Sequence, residues 1–72
     1  MIIKCESLVV KFASGSGMNS QHIVPRDGAD SLRVEITDAE FTVGFMKGQT
    51  AIKIIGWPRA TVAEYYAEKI TS

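Results

Sequence analysis

The chain has 72 residues, 46% of them apolar, with eight basic and eight acidic side chains and a formal net charge of zero. A chain this short makes one domain with a thin core, because folding buries only about 60% of its surface. The charge balance excludes the basic excess on which nucleic-acid binders depend and the strong acidity of a nucleic-acid mimic, and the apolar content excludes intrinsic disorder.

Residues 2–13 read as one strand with a change of phase. Ile3 and Cys5 are apolar at odd positions between Lys4 and Glu6, whereas Leu8, Val10 and Phe12 are apolar at even positions. Such a one-residue slip predicts a β-bulge near Ser7, or two short strands joined at a kink. Residues 14–31 read as a loop. Gly15-Ser16-Gly17 is flexible by composition, residues 21–24 form a candidate short strand ended by Pro25, and Asp27-Gly28 is a turn pair.

Strands at 32–37, 40–46 and 50–56 then form a β-meander. With Asp38-Ala39 as the first loop, Ile36 faces Phe41, Val34 faces Val43 and Leu32 faces Phe45. With Gly48-Gln49 as the second, Lys47 faces Thr50, Phe45 faces Ile52 and Val43 faces Ile54, leaving Phe41 opposite Gly56. Glycine at the first loop position suits a type II′ turn.

A helix is expected over 58–70. Pro58 suits the first helical position, and Thr61 to Glu64 has the spacing of a capping box. Val62, Ala63, Tyr66, Ala67 and Ile70 share one face of such a helix, and Glu64, Tyr65, Glu68 and Lys69 the other. The expected fold class is therefore α+β: one domain over 1–72, with a small antiparallel sheet of three to four strands and one C-terminal amphipathic helix packed on one face. Val34, Ile36, Phe41, Val43, Phe45, Ile52, Ile54, Val62, Tyr66 and Ile70 are the expected core.

No motif carries a reaction. Cys5 is the only cysteine, so no internal disulfide is available, and alternation places it on the apolar side as an inert thiol. This usage points to a reducing cytoplasm. No secretory signal is visible, and no apolar run approaches the roughly 20 residues of a membrane helix. His22 with Asp27 or Asp30 and Ser20 or Ser31 matches no hydrolase spacing. One His and one Cys do not close a zinc site, and Gly15-Ser16-Gly17 lacks the helix and lysine of a phosphate cradle. No catalytic, cofactor or metal residue is expected, and a small enzyme is the least favoured reading.

The expected registers place Arg33, Gly44 and Lys53 in one row on the outer face of the meander. Met46 and Ile55 also point away from the Phe41 side, and Trp57 continues that side unless the corner at Pro58 turns it inward to pack locally. These residues, Arg33, Met46, Lys53, Ile55 and Trp57, are the candidate partner-binding set, with Trp57 and Arg33 as its energetic centre. An acid at position 55 is expected to weaken binding while sparing the fold. The functional expectation is a small cytoplasmic protein-binding domain without catalysis. It would be an accessory or inhibitor protein of the type encoded by phages and other mobile elements, with a second copy of the chain as one candidate partner. The alternative is a nucleic-acid-binding module using Arg33 and Lys53 with Lys4 or Lys11.

Overall fold

The computed structural model describes residues 1–71. Seven strands run in chain order: β1 Ile2–Cys5, β2 Ser7–Phe12, β3 Gln21–Ile23, β4 Ser31–Ile36, β5 Glu40–Lys47, β6 Thr50–Pro58 and β7 Val62–Glu68. They make a four-stranded sheet in the order β1-β4-β5-β6 and a three-stranded sheet in the order β3-β2-β7, all neighbours antiparallel. The expected α+β class is thereby corrected: the chain is nearly all-β, and its one helical turn is a 3-10 turn at Arg59–Thr61.

The phase change in the first strand is a change of sheet. β1 pairs with β4 in the larger sheet, the chain bends at Glu6, and β2 joins the smaller one. Cys5 and Leu8, on either side of the bend, are both fully buried. A strand that bends between sheets turns its apolar side inward twice, and this requires the slip of one residue. The bend is closed by the Glu6 N–H, which donates to the Glu68 carbonyl at 3.3 Å, and by the Thr71 N–H, which donates to Lys4 at 2.8 Å.

The β4–β5 register pairs Ile36 with Phe41, Val34 with Val43 and Leu32 with Phe45, as the pairing arithmetic gives. Its loop is held by Thr37, whose Oγ1 accepts the Glu40 N–H at 3.0 Å. The β5–β6 hairpin also starts in the expected register, with Lys47 opposite Thr50 and φ of +60° at Gly48. A bulge then inserts one residue of β6. Phe45 meets Lys53, Val43 meets Ile55, and Phe41 meets Trp57 instead of Gly56.

The gain from that slip is an aromatic cluster. Trp57 meets Phe12 edge-on at 5.1 Å between ring centroids and Phe41 at 6.3 Å, and Phe41 meets Tyr65 at 5.3 Å. The unbulged register would set a glycine where Trp57 now stands, forfeiting the largest apolar side chain. Gly56 moves opposite Thr42, where a Cβ would lie 3.0 Å from the Thr42 methyl and 3.2 Å from the Phe41 carbonyl.

The expected helix at 58–70 is strand β7 for a related reason. Over Glu64–Glu68 the period is two, with Tyr65 and Ala67 toward the core and Glu64, Tyr66 and Glu68 outward, and a register shift opposite Lys11 and Phe12 brings Val62 inward as well. A helix would stack Glu64 over Glu68, a repulsive pair four residues apart. The strand instead sets Glu64 opposite Lys11 and gives β2 a full-length partner from Ser7–Glu68 to Phe12–Val62. Pro58 ends β6 rather than starting a helix.

The core between the sheets comprises Cys5, Leu8, Val10, Ile23, Leu32, Val34, Ile36, Phe41, Val43, Phe45 and Val62. Four residues expected in it, Ile52, Ile54, Tyr66 and Ile70, are exposed, displaced by the bulge and by the strand geometry of β7. Phe41→Ala should cost about 3–5 kcal/mol, close to the whole stability of so small a domain. Urea unfolding followed by Trp57 fluorescence measures this, and a midpoint near that of the parent would contradict the aromatic packing.

Candidate outer-face site on the four-stranded sheet

Alternation gives the larger sheet an outer face of ordered rows. One runs Ile2, Glu35, Thr42, Gly56; the next runs Lys4, Arg33, Gly44, Ile54; a third runs Ser31, Met46, Ala51. The five sequence-predicted residues divide between the two sides of the sheet. Arg33 and Met46 lie on the outer face and line one depression of about 380 Å³, together with Ile2, Lys4, Ser31, Leu32, Gly48 and Gln49. Ile55 and Trp57 pack against the core. Their expected outward orientation is corrected by the β6 bulge, which also removes Lys53 from the Arg33–Gly44 row and substitutes Ile54. The expected Arg33–Gly44–Lys53 row is not formed.

Lys53 instead faces the inner side of an edge strand. Its Nζ stands 5.9 Å from the centroid of the Phe45 ring, and the Arg26 guanidinium 5.7 Å from the same ring. Both charged groups stand over the ring, on side chains that are themselves exposed. A lysine directed inward at a sheet edge opposes pairing with another chain, since that strand would have to surround the charge.

Lys4 and Arg33 are directly opposite across β1 and β4. Arg33 Nη1 lies 4.0 Å from Glu35 Oε2, with both side chains more than 40% exposed, so the attraction is weak and screened. Gly44 does not leave its backbone open: it is buried, and a Cβ there would lie 3.4 Å from the Met46 sulfur. Met46 is itself 9% exposed. The apolar groups that remain outward are Ile54, 65% exposed on β6, and Ile2, 51% exposed on β1.

The other chemistry-bearing groups lie elsewhere. Ser7 Oγ and His22 Nε2 are 2.8 Å apart on the exposed outer face of the smaller sheet. Neither Ser20 nor Ser31 is the partner of His22, and no cluster of three metal-ligating side chains occurs among the described residues. On that same face the Tyr66 hydroxyl donates to Glu64, which raises the phenol above its ordinary pKa. Burial pushes the Cys5 thiol above its ordinary value, partly offset by a hydrogen bond from the Ser7 backbone, so its thiolate is disfavoured.

Sequence reasoning missed Ile2 and Ile54 as surface groups and the opposition of Lys4 to Arg33. Of the first pair, Ile54 was hidden by a β6 bulge with no sequence signal and Ile2 by the non-local pairing of β1. The second depends on β1 pairing with β4, a contact between segments some 30 residues apart. No family model, characterised protein or solved structure matches this chain. No helix among the described residues is long and apolar enough to cross a membrane.

Two outcomes test this geometry. Ile55→Glu should destabilise the fold by on the order of 2–3 kcal/mol, because its carboxylate would face the core, whereas Ile54→Glu should stay within about 0.5 kcal/mol. Thermal melts of the pair check this, and equal melting points would contradict the bulged register. Lys53→Val should increase self-association at the β6 edge, measured by sedimentation velocity. A strictly unchanged sedimentation profile would deny Lys53 its protective role.

Proposed function

We propose that this chain is a small, non-catalytic protein-binding domain of the cytoplasm, an accessory or inhibitor protein that engages a protein partner through the outer face of its four-stranded sheet. The observation that carries this reading is the pair Ile2 and Ile54. They stand outward on the two outermost strands of one sheet, on either side of Lys4, Arg33 and the depression beside them. Exposed apolar groups framing polar ones offer an anchor and an orienting contact together. Exposed apolar groups spread from one outermost strand to the other suit contact with a folded surface.

The partner is reached by comparing variants. The parent protein should retain one dominant host protein, and Ile54→Glu should weaken that complex about tenfold, roughly 1.4 kcal/mol, without lowering the melting temperature. Lys11→Glu, on the outer face of the other sheet, should leave it intact. Retention of the complex by Ile54→Glu at parental affinity would place the contact elsewhere. If light scattering instead shows a dimer of the parent that Ile54→Glu dissolves, the partner is a second copy.

A further inference from the structure

Lys4 and Arg33 form an arrangement that folding alone does not favour. They are directly opposed on neighbouring strands, a position at which Cβ atoms lie about 5 Å apart and like charges repel. The single ion pair among the described residues joins Arg33 to Glu35 at 4.0 Å, and Lys4 takes part in none among them. Both cations line the 380 Å³ depression, whose other walls include the apolar side chains of Ile2 and Met46 and the polar ones of Ser31 and Gln49. Its size lies in the range of about 300–1,000 Å³ typical of ligand sites.

We infer that this depression is an acidic-residue pocket: it receives a carboxylate side chain of the partner protein between Lys4 and Arg33, with an adjacent apolar side chain of the same segment against Ile2 and Met46. The inference rests on the protein-binding reading and supplies the chemistry of its partner. Charge complementarity selects the occupant. A carboxylate relieves the Lys4–Arg33 repulsion, and the guanidinium presents a fork that fits it. A nucleic-acid strand would need an extended series of cations, whereas here the next side chains are Glu35 and two apolar groups. Ser31 and Gln49 offer further donors at the rim.

The probe is a pair of peptides, Ac-Leu-Asp-Leu-Glu-Leu-NH2 and its neutral counterpart Ac-Leu-Asn-Leu-Gln-Leu-NH2, titrated into ¹⁵N-labelled full-length protein. The acidic peptide should shift the amides of Ser31, Gly48 and Gln49 and bind about tenfold more tightly than the neutral one, a preference that shrinks as salt is raised. Lys4→Gln and Arg33→Gln should each lose most of that preference while melting no lower than the parent, since each removes a repulsion. Equal binding of the two peptides, or a preference that survives both substitutions, overturns the pocket. So does a single-stranded oligonucleotide that shifts the same amides at lower concentration. Loss of acid preference leaves the protein-contact reading standing if Ile54→Glu still releases the partner. Persistence of acid preference with an unaffected partner complex would retire that reading and keep the pocket.

Discussion

The edge-on contact of Trp57 with Phe12, continued through Phe41 to Tyr65, is the constraint on which the rest of the molecule depends. Each of these four rings comes from a different strand, two from each sheet. With one thiol and no disulfide, the two sheets are joined by packing and by the chain that bends between them. Sheets packed face to face exclude water only where interdigitating side chains fill the roughly 10 Å between them, and aromatic rings bury the most area per residue. Bringing Trp57 inward requires one additional residue in β6. That same residue carries Ile55 to the core, carries Ile54 to the solvent, and turns Lys53 toward the inner edge. The composition of the outer face is thus a consequence of how the core is closed.

This account marks what was legible in the sequence. The meander was legible, because hairpin registers follow from turns and alternation within a few residues. The β4–β5 pairing and the start of the β5–β6 pairing came directly from them. The slip of phase around Ser7 was legible as an irregularity, though not as a passage between sheets. The strand β7 was not legible. Only Glu64–Glu68 keeps a period of two, Val62 being brought inward by a register shift, and the deciding fact is that this segment supplies β2 with its partner on that side. Tertiary pairing overrides local propensity in such segments. The candidate site suffered from the same blindness. Arg33 and Met46 were placed correctly on the outer face, whereas Ile55 and Trp57 were reversed by a bulge whose cause lies in the opposite sheet.

The two outer faces of the molecule differ in how completely their charges are satisfied. On the three-stranded sheet Lys11 stands opposite Glu64 and 5.6 Å from the Tyr66 ring, Tyr66 bonds Glu64, and Ser7 bonds His22. The groups just named each have a neighbour of complementary chemistry, although Glu68 on the same face is in no ion pair among the described residues, and the face reads as a solvated surface. On the four-stranded sheet two cations oppose one another, one weak ion pair joins Arg33 to Glu35, and two isoleucines stand in water. Local rules of sheet pairing are obeyed on the first face and broken on the second.

A broken rule is informative only where the fold does not require it, and here it does not. Position 4 lies on a strand whose core side is already supplied by Ile3 and Cys5, so an acid at that position would pair with Arg33 at no cost to packing. The same holds for Ile54, whose side chain contributes nothing to the core and whose neighbours on β6 are anchored by Ile55 and Trp57. Side chains that the fold leaves free, set on one face in a combination that folding alone disfavours, are the grounds on which a contact with a partner is proposed there. The proposed contact surface accordingly spans β1, β4 and the open edge of β6, and its composition follows from the closing of the aromatic core on the other side of the same sheet.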